Sequence, residues 1–290
     1  MSTENINISS TNVKGKCDNK CSYAFKYSES SSTAKNNGVL INLTYDSTSV
    51  PPVVYNSEKY IVENINIVSP SIHTFNNVSM PGEIKISHTP QSGGIPLKVC
   101  IPFTSSSESS SASQIITDII NKVASNAPSE GDSTNLNMNF SLQQIVPRKP
   151  FFVYTGEYSG VNANWIVYGE LEAIPLSSTT ITTLQQIIQA FPIATPGGDL
   201  FYNSKGPISG LQLGDGIYIS CQPTGSSEEE TSVEYDKNST SFDFSNIFES
   251  PIFKSIIIII IGCLLLIIIF YGISIFYKYL TTDRELPKLT

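Results

Sequence analysis

Short apolar runs alternate with turn-forming residues along the first hundred residues, a pattern typical of β-strands. Strands are predicted at 39–45, 60–68, 83–88, 97–103, 137–146, 151–154, 164–168 and 214–221. Isoleucines at helical spacing after Ser113 predict a first helix, and Leu184, Ile187 and Ile188 predict a second one at 181–190. Many strands with two short helices indicate an α+β domain dominated by β-structure.

One stretch near the C-terminus, residues 255–277, is rich in isoleucine and carries no charge. As a helix it is about 34 Å long at 1.5 Å per residue, enough to cross a hydrocarbon core of roughly 30 Å. Lys254 and Lys278 flank it. The pattern predicts a transmembrane helix in contact with the lipid bilayer. A buried core helix is the alternative, although such helices rarely stay uncharged over this length.

The composition divides the chain into four parts. Residues 1–224 are predicted to form the folded ectodomain, 225–250 an acidic disordered stalk, 251–280 the transmembrane segment and 281–290 a short tail. The N-terminus has no apolar segment typical of a secretory signal. We therefore expect a single-pass, tail-anchored membrane protein. The basic residues of the tail favour the opposite orientation, so orientation stays open.

The charge balance excludes a general nucleic-acid binder. The chain has 17 basic and 25 acidic residues and a net charge of −8. Residues 251–290 hold four basic and two acidic residues, so the first 250 hold 13 basic and 23 acidic ones, a net charge of −10. Nucleic-acid binding needs a basic surface instead. His73 and His88 are the two histidines of the chain, which excludes any site built from three histidines.

Five cysteines are present, at positions 17, 21, 100, 221 and 263. Cys17 and Cys21 form a C-x3-C pair without a second pair at zinc-finger spacing, so a structural zinc is not expected. Reduced thiols are the favoured interpretation. A disulfide stays open, because it depends on an oxidising compartment.

Two segments resemble the α-carbonic anhydrase family. Residues 60–88, YIVENINIVSPSIHTFNNVSMPGEIKISH, are similar to the family stretch that carries the zinc histidines, with matches at Tyr60, Pro70, Ser71, His73, Glu83 and His88. Residues 139–168, NFSLQQIVPRKPFFVYTGEYSGVNANWIVY, match a later stretch at Val146, Pro147, Tyr154, Gly156 and Trp165. The resemblance implies a central, twisted, mostly antiparallel sheet with short helices. It also implies structural roles for His73, Glu83, His88 and Trp165.

The same resemblance implies that the zinc site is degenerate. The family's three zinc histidines fall on Asn66, Val68 and Lys85, none of which supplies a neutral imidazole. A glutamate that orients a ligand becomes Ile72. The loop with the catalytic threonine is shortened, since Gly156 and Trp165 are nine positions apart without Thr-Thr-Pro-Pro between them. We therefore expect no enzyme activity, no metal and no other cofactor.

The predicted anchor makes the chain similar to the membrane-anchored, zinc-less type of this family on poxvirus virions, which binds chondroitin sulfate. That likeness implies a viral membrane or virion surface protein for adhesion or protein interaction, located in a virion membrane or a host intracellular membrane. Sulfated glycosaminoglycan binding is doubtful here, because the ectodomain is acidic and Arg148 with Lys149 is its only adjacent basic pair. The partner is unknown, either a protein or an uncharged glycan. The alternatives are a structural membrane linker of a large DNA virus and, less favoured, an active carbonic anhydrase with a relocated metal site.

Overall fold

The computed structural model describes residues 6–18, 20–158, 160–192, 198–208 and 271–277. The chain forms two compact units, Met1–Gly225 and Ser226–Thr290. In the second unit the description covers residues 271–277, which are helical. The predicted strand 214–221, the stalk 225–250, the tail 281–290 and most of the predicted span 255–277 lie outside the described residues. Within the described ranges, no helix has the length and apolarity needed to cross a lipid bilayer.

The described part of the first unit is built from strands and two α-helices. The strands are β1 (Asn7–Ile8), β2 (Val13–Lys16), β3 (Tyr23–Phe25), β4 (Glu29–Asn36), β5 (Leu40–Leu43), β6 (Val53–Tyr55), β7 (Glu58–Val68), β8 (Thr74–Phe75), β9 (Val78–Ser79), β10 (Gly82–Pro90), β11 (Leu97–Ser105), β12 (Ser133–Ser141), β13 (Phe151–Tyr158), β14 (Val161–Val167), β15 (Ile174–Leu176) and β16 (Leu200–Asn203). The helices are α1 (Ser111–Asn126) and α2 (Ser178–Ile187).

Thirteen strands join in one sheet, whose main path runs β12-β4-β5-β7-β10-β11-β14-β13-β16-β2. Strands β3, β6 and β15 pair at its side. Most pairs are antiparallel, and β11 pairs in parallel with β14 and β15, as β16 does with β2. The predicted fold, a β-dominated α+β domain with a large central sheet and short helices, is confirmed.

The two faces of the central strands have different chemistry. One face carries Ile65, Ile67, Ile84 and Ile86, all inaccessible to solvent, in the main hydrophobic core to which α1 also contributes. The opposite face alternates with these residues, because successive side chains of a strand point to opposite sides. It combines a smaller apolar cluster around Trp165 with polar and charged side chains. The degenerate zinc positions lie on this second face.

Candidate functional site

Strand register brings the three degenerate zinc positions together. Asn66 on β7 and Lys85 on β10 are direct cross-strand partners. Val68 lies two residues beyond Asn66, so it shares the same face, and its own partner is Glu83. On the other side of β10, Lys85 faces Cys100 of β11. The chain therefore places an amide, an isopropyl group and an ammonium group at neighbouring positions on one surface of the sheet.

The first of these positions belongs to a chain of asparagine side chains. Asn66 is 7% exposed and accepts a hydrogen bond at Oδ1 from Nδ2 of Asn42, at 2.8 Å. Its own Nδ2 donates to Oδ1 of Asn64, at 3.1 Å. Val68 is fully buried and has no donor atom. The oxygen and the nitrogen of the Asn66 amide are thus both engaged in hydrogen bonds with neighbouring asparagines.

Lys85, at the third position, is 2% exposed. Burial lowers the pKa of its ammonium group, and the nearby Cys100 and Glu83 act in the opposite direction. Burial also lowers the pKa of Lys98 on β11, and the positive charge of Lys85 adds to that effect. Three neutral imidazoles would be needed to hold zinc as the hydratase does. The residues present do not fit that metal site, since one has no donor and another is a cation.

A buried polar network surrounds Glu83, which is fully inaccessible. Its Oε1 lies 2.7 Å from Nδ1 of His73, and its Oε2 accepts the backbone N–H groups of Ile72 and His73 at 2.6 and 3.1 Å. Ile72 therefore contributes its backbone to this network, although its side chain cannot replace a carboxylate. The opposite ring nitrogen of His73, Nε2, lies 2.8 Å from the Tyr154 hydroxyl.

Aromatic rings pack against this network. Tyr154 and Trp165 are cross-strand partners whose rings stack with centroids 5.5 Å apart, and the His73 ring meets Trp165 edge-on at 5.6 Å. Burial raises the pKa of the Tyr154 hydroxyl well above its ordinary value, so it is neutral at physiological pH. The structure thus brings His73, Glu83 and Trp165 into one cluster. The sequence pattern does not identify Cys100 as a further member of this cluster, because only the pairing of β10 with β11 brings it close to the other residues.

The segment between Gly156 and Trp165 forms a hairpin. Strands β13 and β14 pair continuously from Phe152 with Val167 to Tyr158 with Val161, and Gly156 faces Ala163. The Trp165 indole donates to the Gly156 carbonyl at 3.3 Å. A hairpin therefore occupies the part of the chain where the family resemblance expects the loop with the catalytic threonine.

His88 lies apart from His73. The pairing of β10 with β7 shifts register between Ser87 and His88, where Glu63 of β7 is skipped, and the His88 ring packs against Tyr27 of the main core. Its Nε2 lies 2.9 Å from the Tyr27 hydroxyl, and its Nδ1 lies 3.3 Å from the carbonyl oxygen of Leu97. Burial lowers the pKa of His88 to about 3, and Lys98 contributes in the same direction. His88 is thus a neutral, hydrogen-bonded core residue.

Because His88 is buried in its neutral form, we expect the folded domain to lose stability in mild acid. The unfolded chain protonates His88 near its ordinary pKa of about 6.5, whereas the folded chain resists protonation down to about pH 3. The contribution of neutral His88 to the free energy of unfolding is therefore fully present well above pH 6.5. It falls by about 1.4 kcal/mol per pH unit below that value. Between pH 7 and pH 5, we expect the free energy of unfolding to drop by about 2 kcal/mol more than in His88→Gln. Urea titrations at the two pH values measure this difference, and equal losses in both proteins would contradict it.

The cysteines divide between a disulfide and a free thiol. The structure joins Cys17 to Cys21, whereas the sequence favours reduced thiols. The two residues are four positions apart at the end of β2, so their proximity is local. Cys100 is a buried free thiol. Burial raises the pKa of this thiol well above its ordinary value, and the Glu83 carboxylate adds to that effect. Cys221 and Cys263 lie outside the described residues.

An open cleft of about 620 Å³ lies between α2 and the chain segments that lead out of β7 and into β10. Among the described residues its lining carries no charge and combines hydroxyl and amide groups of Ser178, Thr182 and Gln185 with apolar side chains such as Met80 and Ile181. Such a surface suits a ligand that forms hydrogen bonds without carrying charge.

Neither a family model nor a curated protein matches the chain. Solved structures do match it. Dioscorin complexed with ascorbate superposes with a TM-score of 0.57 at 16% identity, over 72% of this chain and 88% of that one. A hyperthermostable carbonic anhydrase from a hydrothermal vent chimney gives 0.55 at 19%, over 69% and 86%. The α-carbonic anhydrase of Photobacterium profundum gives 0.56 at 15%, over 69% and 88%. At these identities the likeness concerns the fold, and the domain has the fold of the α-carbonic anhydrases.

Proposed function

We propose that the domain is a non-catalytic binding module built on the carbonic anhydrase fold. The observation that carries this proposal is the chemistry at three neighbouring positions on one sheet face, where Asn66, Val68 and Lys85 stand in place of imidazoles. A hydratase needs a zinc ion to generate hydroxide at neutral pH. A buried ammonium group opposes a dication, and an isopropyl group offers it no ligand.

We further propose that this module is displayed on a membrane, as a viral membrane or virion surface protein. The uncharged stretch at 255–277 and the polar, acidic segment before it support an anchored arrangement. The net charge of −10 over the first 250 residues argues against sulfated or phosphorylated polymers as partners. An uncharged glycan or a protein surface fits this charge better.

The cleft beside α2 is the surface that suits such a partner. Its described lining combines hydroxyl and amide groups with apolar side chains and carries no charge. The solved structure of dioscorin with ascorbate supports the idea that this fold can serve ligand binding. Thr182 and Gln185 are exposed positions of α2 at the cleft, where substitution leaves the core intact.

Two measurements on the full chain, reconstituted in vesicles, test the proposal. With added zinc, CO2 hydration should not exceed the rate of empty vesicles, and turnover above that rate would overturn the non-catalytic assignment. Binding to cells and to immobilised neutral glycans should persist at high salt, because no strong charge attraction carries it. Thr182→Lys/Gln185→Lys should lose that binding, whereas Asn121→Lys at an exposed position of α1 should keep it. Absence of binding to any cell or glycan would favour the structural linker instead.

A further inference from the structure

Three buried side chains of different chemistry lie close together on one face of the sheet. The Nδ1 or Nε2 of His73, a carboxylate oxygen of Glu83 and Sγ of Cys100 lie within 4.8 Å of one another. All three residues are completely inaccessible to solvent. Glu83 Oε1 is hydrogen-bonded to His73 Nδ1 at 2.7 Å, and the Cys100 thiol is hydrogen-bonded to the same carboxylate. Glu83 therefore contacts both of the other residues.

We propose that His73, Glu83 and Cys100 form a buried binding site for one divalent transition-metal ion of the zinc type. Imidazole, thiolate and carboxylate are ligands of Zn²⁺ and of its spectroscopic substitute Co²⁺, whereas Mg²⁺ and Ca²⁺ prefer oxygen alone. This site differs from the degenerate positions Asn66, Val68 and Lys85, since it shares no side chain with them. Its full burial closes it to a substrate, so we assign it a structural role, with three protein ligands where closed zinc sites usually have four.

The surroundings of the three side chains hold each one in a fixed orientation. Two backbone N–H groups bind Glu83 Oε2, which leaves Oε1 directed at the centre. Tyr154 contacts His73 at Nε2, so Nδ1 is directed at the centre too. A hydroxyl can accept as well as donate a hydrogen bond, so Tyr154 can stabilise the tautomer in which Nδ1 binds a metal. Partners of this kind orient the ligands of known metal sites.

Metal entry requires the three ligands to rearrange their protons. Without metal, one proton lies between His73 Nδ1 and Glu83 Oε1, and another lies on the Cys100 sulfur. A dication that takes up the three ligands releases the thiol proton to solvent and shifts the His73 proton from Nδ1 to Nε2, beside the Tyr154 hydroxyl, so the net charge of the cluster rises by one. Metal sites commonly release protons in this way when their ligands are deprotonated.

Cobalt titration of the full chain in detergent, under conditions that preserve the disulfide, tests the site. We expect one Co²⁺ per chain, a near-ultraviolet sulfur-to-cobalt charge-transfer band and quenching of Trp165, the single tryptophan of the chain. The Trp165 ring lies 5.6 Å from the His73 ring, close enough to report the ion. Cys100→Val should remove the band and weaken binding by about a hundredfold or more, while its near-ultraviolet circular dichroism reports that the core is intact.

Three control variants distinguish this site from cobalt binding elsewhere in the chain. The double variant Cys17→Ser/Cys21→Ser should keep both the band and the stoichiometry, because its sulfurs lie outside the cluster. His88→Gln changes a buried histidine that lies in the main core, and it should also bind cobalt normally. Tyr154→Phe should bind more weakly, as expected when a ligand loses its orienting partner. No charge-transfer band in the natural chain, or an unchanged band in Cys100→Val, would overturn the proposal.

Discussion

The variant Asn66→His/Val68→His/Lys85→His is expected to bind one Zn²⁺ per chain at the sheet face where the natural chain has no suitable ligands. Strand register supports this expectation. Positions 66 and 85 are direct partners, and position 68 lies on the same face two residues along β7. Cβ atoms of such partners are about 5 Å apart, which lets their imidazoles reach a common ion. Three imidazoles and a water complete a tetrahedral site.

The gain in zinc affinity at this face of the sheet should be large. Protein zinc sites release roughly 10 kcal/mol or more on binding, which corresponds to a dissociation constant of tens of nanomolar or lower. The substitution also removes the Lys85 ammonium that would oppose the ion. The measurement is competition with a zinc-chelating dye, made in a Cys100→Val background so that the cluster of His73, Glu83 and Cys100 cannot contribute.

The matched control is the double variant Asn66→His/Val68→His in the same background. It keeps Lys85, so it offers two imidazoles beside a cation, and we expect its zinc affinity to be at least about a hundredfold lower. A folded triple variant that binds zinc no better than this double variant would contradict the shared-face geometry. Hydration of CO2 is not the readout, because β13 and β14 form a hairpin where a substrate loop would lie.

The strongest sequence patterns correspond to the central elements of the fold. The apolar runs at 60–68, 83–88 and 97–103 lie in β7, β10 and β11, and the isoleucines after Ser113 lie on the buried side of α1. These elements are buried in the interior of the sheet or against it, so their apolar positions follow a clear period. Boundaries are less accurate, as for α2, predicted at 181–190 and observed at Ser178–Ile187.

The sequence pattern does not predict strand β4, and the inward-facing residues of this strand are the reason. Ser30, Ser32, Ala34 and Asn36 point inward along β4 and carry little apolar area, so no hydrophobic alternation marks the strand. Asn36 compensates through hydrogen bonds rather than through apolar contacts. Its Nδ2 lies 2.9 Å from the carbonyl oxygens of Pro128 and Ile187, which ties β4 to the ends of both helices. Tertiary partners that determine a strand in this way cannot be recognised in a local pattern.

The candidate site shows the same limit. The resemblance places Asn66, Val68 and Lys85 by alignment, and the observed register puts them on one face. The sequence marks Cys100 only as one of several thiols, since its contact with Glu83 depends on the pairing of β10 with β11. His88 shares the core-facing side of β10 with Ile84 and Ile86, whereas His73 bonds to Glu83 on the opposite side, so alternation along the strand separates the two histidines.

Glu83→Gln is expected to destabilise the folded domain by about 3–5 kcal/mol, the cost of leaving a buried ion without its counter-charge. Lys85 is 2% exposed, and the Glu83 carboxylate is one of the charges that favour its protonated form. Glutamine preserves the shape and can still accept from the backbone N–H groups of Ile72 and His73. The loss should therefore reflect the missing charge more than missing contacts. Urea unfolding followed by Trp165 fluorescence measures it.

A double-mutant cycle separates the electrostatic effect of Glu83 on Lys85 from the rest of the network. If Glu83 stabilises the domain through Lys85, then Lys85→Met should recover at least half of the loss in the Glu83→Gln background, because no buried cation is left uncompensated. The matched control is Glu63→Gln, which removes a carboxylate near Lys98 that is 52% exposed. The Glu63 carboxylate is half exposed and 3.9 Å from Lys98, so solvent weakens the pair and this variant should lose about 1 kcal/mol at most. Additive effects of Glu83→Gln and Lys85→Met would show that Glu83 acts through His73 and the backbone alone, and that the buried lysine depends on other groups.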